Sequence, residues 1–257
     1  MHGVTRLDWL TAQPIAHRGL HDAARGVIEN TPSAVAAALA AGFGIEVDLQ
    51  ASADGEAMVF HDATLDRLTL SRGRLRDFSA DVLSGVTFAA TADRMMRLSE
   101  LLALVAGRTP LVLELKSRWD GDVRLATRTA AVLSDGYAGP VAVMSFDPRL
   151  VATMARRAPH LARGVAIRRR AGPSPASPAD RRPRLPALIL HSALARPHFM
   201  ACRLQDLAWA PVIAARRLLG LPVLAWTVRS KEDQKLALRH ADQVIFEGFR
   251  PLMDGDS

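Results

Sequence analysis

The stretch Gly44-Ile-Glu-Val-Asp-Leu-Gln50 decides the fold of this 257-residue chain, and Phe60-His61-Asp62 follows it ten residues later. Apolar and polar residues alternate through the first stretch, which is the period of a β-strand. Glu46 and Asp48 therefore lie on one face, with Cα atoms about 6–7 Å apart. Two carboxylates on one face repel each other, and a hard divalent cation is the simplest compensation. An exposed strand with solvated acids is the alternative that this stretch alone leaves open.

A tight turn, Ala53-Asp54-Gly55-Glu56, follows this strand. The turn is too short for a crossover connection, so Ala57–His61 is predicted to run antiparallel to Asp48–Ser52 as a β-hairpin. The hairpin would bring His61 beside the two carboxylates of the first strand.

Strand and helix patterns alternate along the rest of the chain. Thr31 followed by Pro32 predicts a helix start, and Ser99 and Ser230 are predicted to cap two later helices. Without the hairpin return, eight strands are predicted near Ile15, Ile45, Leu111, Val141, Gly164, Ala187, Val223 and Val244. For the seventh, the predicted range is Ala187–Leu190. The order predicts an α/β protein, a parallel (β/α)8 TIM barrel with a small insertion at about residues 63–108. A doubly wound open sheet is the alternative fold.

The composition suits a single domain over residues 1–257. Apolar residues make up 49% of the chain, which is enough for a sizeable core. Cys202 is the only cysteine, so no disulfide can form within the chain. We find no apolar segment with the pattern of a signal peptide or a membrane span, and we therefore expect a cytoplasmic protein.

The basic charge is concentrated in one part of the sequence. The net charge is +7, and much of the arginine lies in a proline-rich stretch at about residues 168–186, which is predicted to be a mobile loop. Nucleic-acid binding would need aromatic groups among the basic ones, and none occurs between Arg163 and Leu190. The charge instead favours anionic small molecules or a weak attraction to membrane surfaces.

Polar residues occur where the predicted strands end. In a parallel barrel the carboxyl-terminal ends of the strands form the active-site mouth. The residues at these ends, together with His61 from the hairpin, are His17, Arg18, Glu46, Asp48, Glu114, Lys116, Ser145 and Trp226. Carboxylates, histidines and cations gathered at one mouth form a reactive set, although a lone histidine or tryptophan is often structural.

This set fits the hydrolysis of a phosphodiester. Glu46, Asp48 and Glu114 can bind one Mg²⁺ or Ca²⁺ through oxygen ligands, and such an ion polarises phosphoryl oxygens. Arg18 and Lys116 can offset the negative charge that develops there. Because histidine titrates near neutral pH, the two histidines of the set can exchange protons with the attacking and leaving oxygens.

The order and rough spacing of seven motifs resemble the glycerophosphodiester phosphodiesterase family. The motifs are His17-Arg18-Gly19, Glu29-Asn30-Thr31, Glu46-x-Asp48, His61-Asp62, Glu114-x-Lys116, Ser145-Phe146 and Trp226-Thr227-Val228. The resemblance implies a TIM barrel and metal-dependent hydrolysis of glycerophosphodiesters to glycerol 3-phosphate and an alcohol. Position by position, it implies the acid/base pair His17 and His61, the metal ligands Glu46, Asp48 and Glu114, and the substrate contacts Arg18, Lys116 and Trp226. It also implies that the insertion helps to bind the glycerol.

One position departs from the family's pattern. The family usually ends its last strand in a Thr-Asp pair, whereas this chain has Phe246-Glu247. We expect the reaction to be retained and the fit of the substrate to be affected.

The sequence leaves three alternative functions open. One is a related phospholipase-like enzyme that acts on another phosphodiester or on a lysophospholipid. Another is the phosphoinositide-specific type of lipase, which shares the barrel and the paired histidines but releases a cyclic phosphate. The third is a non-catalytic barrel that binds phosphorylated ligands, which the presence of both histidines disfavours.

Overall fold

The computed structural model describes residues 7–169 and 195–252, and nine β-strands in these ranges form one sheet. The strands are β1 (Ile15–Ala16), β2 (Gly44–Ala51), β3 (Ala57–Val59), β4 (Leu111–Leu115), β5 (Val141–Ser145), β6 (Ala162–Ile167), β7 (Phe199–Arg203), β8 (Val223–Val228) and β9 (Gln243–Phe246). Their order in the sheet is β1-β9-β8-β7-β6-β5-β4-β2-β3.

The sheet closes on itself. The short strand β1 pairs in parallel with β9 on one side and with β2 on the other, so eight strands form a closed parallel barrel. The predicted TIM barrel is therefore confirmed, and the doubly wound open sheet is excluded.

The predicted hairpin is also confirmed. Strand β3 pairs with β2 in antiparallel register, with Leu49 opposite Val59 and Ala51 opposite Ala57. Its return leads directly to His61 at the carboxyl-terminal end of the barrel.

The seventh barrel strand lies later in the chain than predicted. Strand β7, which pairs with β6 and β8, spans Phe199–Arg203 rather than Ala187–Leu190. Residues 187–190 lie outside the described ranges, as does nearly all of the predicted loop at 168–186. Both stretches are short apolar runs, and local pattern alone does not determine which of them joins a sheet.

Helices in the described ranges alternate with the barrel strands. They are α1 (Asp8–Thr11), α2 (Pro32–Ala40), α3 (Ala80–Ser84), α4 (Leu98–Val105), α5 (Arg124–Ser134), α6 (Pro148–Arg157), α7 (Ala210–Leu219) and α8 (Lys231–Ala237). Thr31 and Ser230 accept hydrogen bonds from the backbone of α2 and α8, as predicted. The prediction for Ser99 is wrong, because α4 begins one residue before it and Glu100 accepts a bond from the Arg97 amide.

Three apolar clusters hold these elements together. The largest fills the layer between the barrel and its helices, and a second, which includes Val112 and Phe199, fills the inside of the barrel. A third cluster, which includes Phe60, Leu75 and Phe88, joins the hairpin to residues of the insertion. No helix in the described ranges combines the length and apolar character that crossing a bilayer would need.

Candidate active site

Three buried carboxylates meet at the carboxyl-terminal mouth of the barrel. Glu46 and Asp48 come from β2, and Asp48 lies opposite Glu114 in the neighbouring strand β4. One carboxylate oxygen from each of the three residues lies within 4.8 Å of the others. The alternation in β2 therefore does place its two acids on one face, directed into the barrel rather than into solvent.

Two cationic side chains compensate this acidic cluster in part. The Nζ atom of Lys116 is 2.7 Å from Asp48 Oδ1 and 2.6 Å from Glu114 Oε1, and Arg18 Nε is 3.2 Å from Asp48 Oδ2. Burial alone would raise the pKa of Asp48, but Lys116 and Arg18 hold it well below its usual range. Asp48 is therefore the ionised anchor of the cluster.

Glu46 has no such cation of its own. Its Oε2 accepts the Arg18 backbone amide at 3.0 Å, whereas its buried Oε1 has no hydrogen-bond partner. Burial, together with the charges of Asp48 and Glu114, raises the pKa of Glu46 well above its usual range. An unpartnered buried oxygen beside two further carboxylates is a donor set that fits one hard divalent cation.

Backbone geometry explains why the loop after β1 can reach this cluster. Arg18 adopts φ 57° and Gly19 φ 78°, which turns the chain sharply behind the strand. A Cβ atom on Gly19 would lie 2.8 Å from the backbone of Ala34, so only glycine fits there. Asn30 donates to Asp48 Oδ2 at 2.9 Å and accepts the Asp48 amide at 3.1 Å, which fixes that carboxylate.

His17 is held by a carboxylate that directly follows the last strand. Its Nδ1 lies 2.5 Å from Glu247 Oε2, while its Nε2 lies 3.9 Å from Glu46 Oε2. The hydrogen bond from His17 holds the pKa of Glu247 far below its usual range. Arg229, at the end of β8, contacts the other oxygen of Glu247 at 2.6 Å.

His61 is held in a similar way by its neighbour in sequence. Its Nδ1 lies 2.7 Å from Asp62 Oδ1, and Arg67 contacts the same carboxylate at 2.5 Å through Oδ2. Arg67 also contacts Glu29, and Glu29 accepts from Arg18 at 2.6 Å. An arginine from the insertion thus links the support of His61 to that of Arg18.

A cavity of about 440 Å³ opens above the carboxylates. His17, His61 and Lys116 line it, and the rings of Phe146 and Trp226 form part of its wall with centroids 5.5 Å apart.

Ser145 does not line this cavity. The hydroxyl group of Ser145 donates to the Leu115 carbonyl at 2.7 Å, so it braces the backbone between β4 and β5 instead.

The structure brings together eight of the nine candidate residues of the sequence analysis, all except Ser145, and it adds residues that the sequence analysis missed. Arg67, Trp119 and Arg229 contact the histidine supports or line the cavity, and Glu247 was noted only as a departure from a family pattern. A signal for Glu247 was its place at the end of a barrel strand, where polar groups face the mouth.

Comparisons with known proteins agree with this geometry. The sequence model of the glycerophosphoryl diester phosphodiesterase family matches residues 17–246. A glycerophosphodiester phosphodiesterase of Caldanaerobacter subterraneus subsp. tengcongensis is 26% identical over 244 residues, which cover 88% of this chain and 89% of the relative.

Solved structures show the same architecture. A Silicibacter pomeroyi protein named as a glycerophosphoryl diester phosphodiesterase superposes with a TM-score of 0.75 and 26% identity. The match covers 95% of this chain and 94% of that one. A phosphodiesterase of Oleispira antarctica, solved with the product sn-glycerol-3-phosphate, superposes with a TM-score of 0.73 and 22% identity, covering 91% and 92%.

A closed parallel barrel with carboxylates, histidines and cations at one mouth defines the class of TIM-barrel phosphodiesterases. Within that class, the chain belongs to the glycerophosphoryl diester phosphodiesterase family. It is an enzyme of the glycerophosphodiester phosphodiesterase type.

Proposed function

We propose that this enzyme hydrolyses glycerophosphodiesters to glycerol 3-phosphate and an alcohol, with one divalent cation and with His17 and His61 as the acid/base pair. The observation that carries the proposal is the meeting of three carboxylates and two histidines around one cavity. The product bound by the Oleispira antarctica relative supports glycerol 3-phosphate as the constant half of the substrate.

Glu46, Asp48 and Glu114 would hold the cation. When bound, a Mg²⁺ or Ca²⁺ ion supplies Lewis-acid polarisation of the phosphoryl oxygens. The unpartnered Oε1 of Glu46 supports this role, because a buried carboxylate oxygen that has neither a donor nor a cation is costly.

Arg18 and Lys116 would bind the phosphoryl group. Both are cationic hydrogen-bond donors beside the carboxylate cluster, and both line the cavity. Donors fixed where negative charge develops are commonly the largest contribution to such reactions. Because Arg18 is also held by Glu29, its guanidinium needs little reorganisation to contact the substrate.

His17 and His61 would move the protons. Each has its Nδ1 against a carboxylate, which leaves Nε2 as the nitrogen available to the substrate. One imidazole would accept a proton from the attacking water as the new P–O bond forms, and the other, as the imidazolium, would donate a proton to the departing alkoxide as the old P–O bond breaks.

Selectivity would differ between the two ends of the substrate. The glycerol phosphate end would lie among the charged groups at the base of the cavity, where each polar group needs a partner. A missing hydroxyl there leaves site groups unpaired, and such sites reject analogues by about 10⁴ or more. The alcohol would point outward past Trp226 and Phe146, where contacts discriminate less.

The test is the release of glycerol 3-phosphate from a panel of glycerophosphodiesters, measured before and after chelation. We expect EDTA to abolish turnover and either Mg²⁺ or Ca²⁺ to restore it. Full activity after exhaustive EDTA treatment would remove the metal from the proposal. A cyclic phosphate as the final product would instead indicate the phosphoinositide-specific type of reaction.

Three further points remain proposals that rest on the sequence. They are a single domain over residues 1–257, a cytoplasmic location and a weak attraction of the basic chain to anionic membrane surfaces. The last should weaken as salt rises, because the screening length falls to about 3 Å at 1 M ionic strength.

A further inference from the structure

The carboxylate of Glu247 occupies a position between two chain segments that are far apart in sequence. It lies directly after β9, and its two oxygens have separate partners. Oε1 accepts from Arg229 Nε at 2.8 Å and from Nη2 at 2.6 Å, while Oε2 meets His17 Nδ1 at 2.5 Å. His21 Nε2 also faces Oε2, at 3.8 Å.

We propose that Glu247 is a positioning residue for His17, which fixes the hydrogen on Nδ1 and so leaves the lone pair of Nε2 toward the cavity. This inference rests on the proposed role of His17 in proton transfer. Arg229 completes the arrangement, because it holds the carboxylate in the orientation that His17 requires.

Hydrogen-bond chemistry makes the assignment of the nitrogens definite. An ionised carboxylate has only acceptor sites, so the ring nitrogen against it must carry a hydrogen. A neutral imidazole has one N–H group and one lone pair, so Nε2 then bears the lone pair. Nε2 lies 3.9 Å from Glu46 Oε2, on the side of the barrel mouth.

The second histidine supports this interpretation. His61 has the same arrangement of Nδ1, a carboxylate and an arginine, built from Asp62 and Arg67. The two supports come from unrelated parts of the chain, since Asp62 adjoins its histidine whereas Glu247 is 230 residues from His17. Two separate carboxylate–arginine pairs contact Nδ1 and leave Nε2 for the cavity. This repetition indicates that the orientation of the imidazole rings matters to the site.

Substitution by glutamine separates a positioning role from a structural one. Glutamine keeps the size of Glu247 but offers one oxygen and one NH₂ group. Arg229 can only donate, so it should retain the oxygen and turn the NH₂ group toward His17 Nδ1. The ring would then accept at Nδ1 and carry its hydrogen on Nε2, which is the wrong tautomer for a base. In a comparable histidine–carboxylate pair, the amide substitution lowers kcat by about 10⁴.

The experiment uses the full chain with ¹⁵N-labelled histidine and three variants. Glu247→Gln should move the His17 hydrogen from Nδ1 to Nε2 in the nitrogen spectrum at alkaline pH, and lower kcat by about 10²–10⁴ with KM changed less than about threefold. Glu247→Asp retains an acceptor-only group. It should keep the wild-type tautomer of His17 and more of the wild-type kcat than Glu247→Gln does. Glu232→Gln, an exposed residue of α8 with the same change in charge, should alter neither readout.

A double variant tests the part played by Arg229. With Arg229→Met added to Glu247→Gln, the amide is free to rotate its oxygen toward His17, so the Nδ1–H tautomer and part of kcat should return.

The inference is overturned if wild-type His17 carries its hydrogen on Nε2, a result that needs no variant to fold. It is equally overturned if Glu247→Gln keeps wild-type kcat. If instead the wild-type enzyme releases no glycerol 3-phosphate while His17 shows the Nδ1–H tautomer, the proposed function fails and the structural assignment stands.

Discussion

Removing the charge of Glu46 and removing that of Asp48 should have opposite effects on the stability of the metal-free protein. Both side chains are buried, at 1% and 0% exposure, and both are proposed ligands of the same cation. Their electrostatic surroundings differ, because Asp48 contacts Lys116 and Arg18 whereas Glu46 faces mainly other carboxylates.

The size of the effect at Glu46 follows from the distance between the carboxylate oxygens. Carboxylate oxygens within 4.8 Å of one another repel by about 3.5 kcal/mol or more per pair at an effective dielectric constant of about 20. The ammonium group of Lys116 offsets part of this repulsion. We therefore expect Glu46→Gln to stabilise the metal-free protein by about 1–3 kcal/mol, which in a chain of this size raises Tm by about 2–10 °C.

The dependence on pH gives the sign independently. The pKa of Glu46 is raised in the folded protein, so its favourable contribution is complete below the unfolded value of about 4.3 and is lost as pH rises through the raised value. The advantage of Glu46→Gln should therefore grow from acid toward neutral pH. The amide resembles the protonated side chain and does not titrate.

The contribution of Asp48 to stability has the opposite dependence on pH. Its pKa is depressed in the folded protein, so its contribution is present above the unfolded value of about 3.9 and is lost as pH falls through the depressed value. At neutral pH, Asp48→Asn should cost about 3–5 kcal/mol, because it leaves two cations beside the cluster without their main partner.

Thermal unfolding in EDTA, followed by titration with Mg²⁺ or Ca²⁺, measures both effects. Wild-type protein should gain about 2.7 kcal/mol at a cation concentration of 100 times Kd, and both variants should gain far less. Glu232→Gln serves as the control for a loss of surface charge. If the two variants shift Tm in the same direction without metal, the assignment of the excess charge to Glu46 is wrong.

Other consequences are accessible to simpler measurements. His17→Ala and His61→Ala should each lower kcat by about 10²–10⁴ while the circular dichroism spectrum is unchanged, and the exposed His160→Ala should have no effect. Either histidine variant keeping a third of wild-type turnover would contradict its role. Gly164→Ala should destabilise the barrel by about 1–3 kcal/mol, because the new Cβ would lie 2.5 Å from the ring of Phe199; an unchanged Tm would refute this. A kcat/KM series should spread further over altered glycerol ends than over altered alcohols, and the reverse order would mean that the substrate binds the other way round.

Much of the barrel could be predicted from local sequence, because the strands show a clear periodic pattern of residues. The alternation around Glu46 and Asp48 fixed a strand and its inner face, and the short turn at Asp54-Gly55 required an antiparallel return. Both features depend on neighbouring residues alone. The predicted cap of α4 is two residues late for the same reason: Ser99 is a common type of cap residue, whereas the cap lies at Arg97 and uses Glu100.

Features set by distant partners were harder to predict. Phe199–Arg203 is a barrel strand because it pairs with β6 and β8. The sequence of these five residues alone does not predict that pairing. The carboxylate of Glu247 contacts His17, at the other end of the chain. A resemblance to a family can mark such a position as unusual, but only the folded arrangement gives the reason.

The two-residue strand β1 ties the order of synthesis to the assembly of the enzyme. It pairs with β2, made early, and with β9, which ends at Phe246. A ribosome adds residues from the amino terminus at about 5–20 per second, so His17 exists for roughly 10–50 s before Glu247 is made. A nascent chain thus emerges with an open barrel edge and without the carboxylate that contacts His17. Catalytic competence should begin only after translation has passed the last strand.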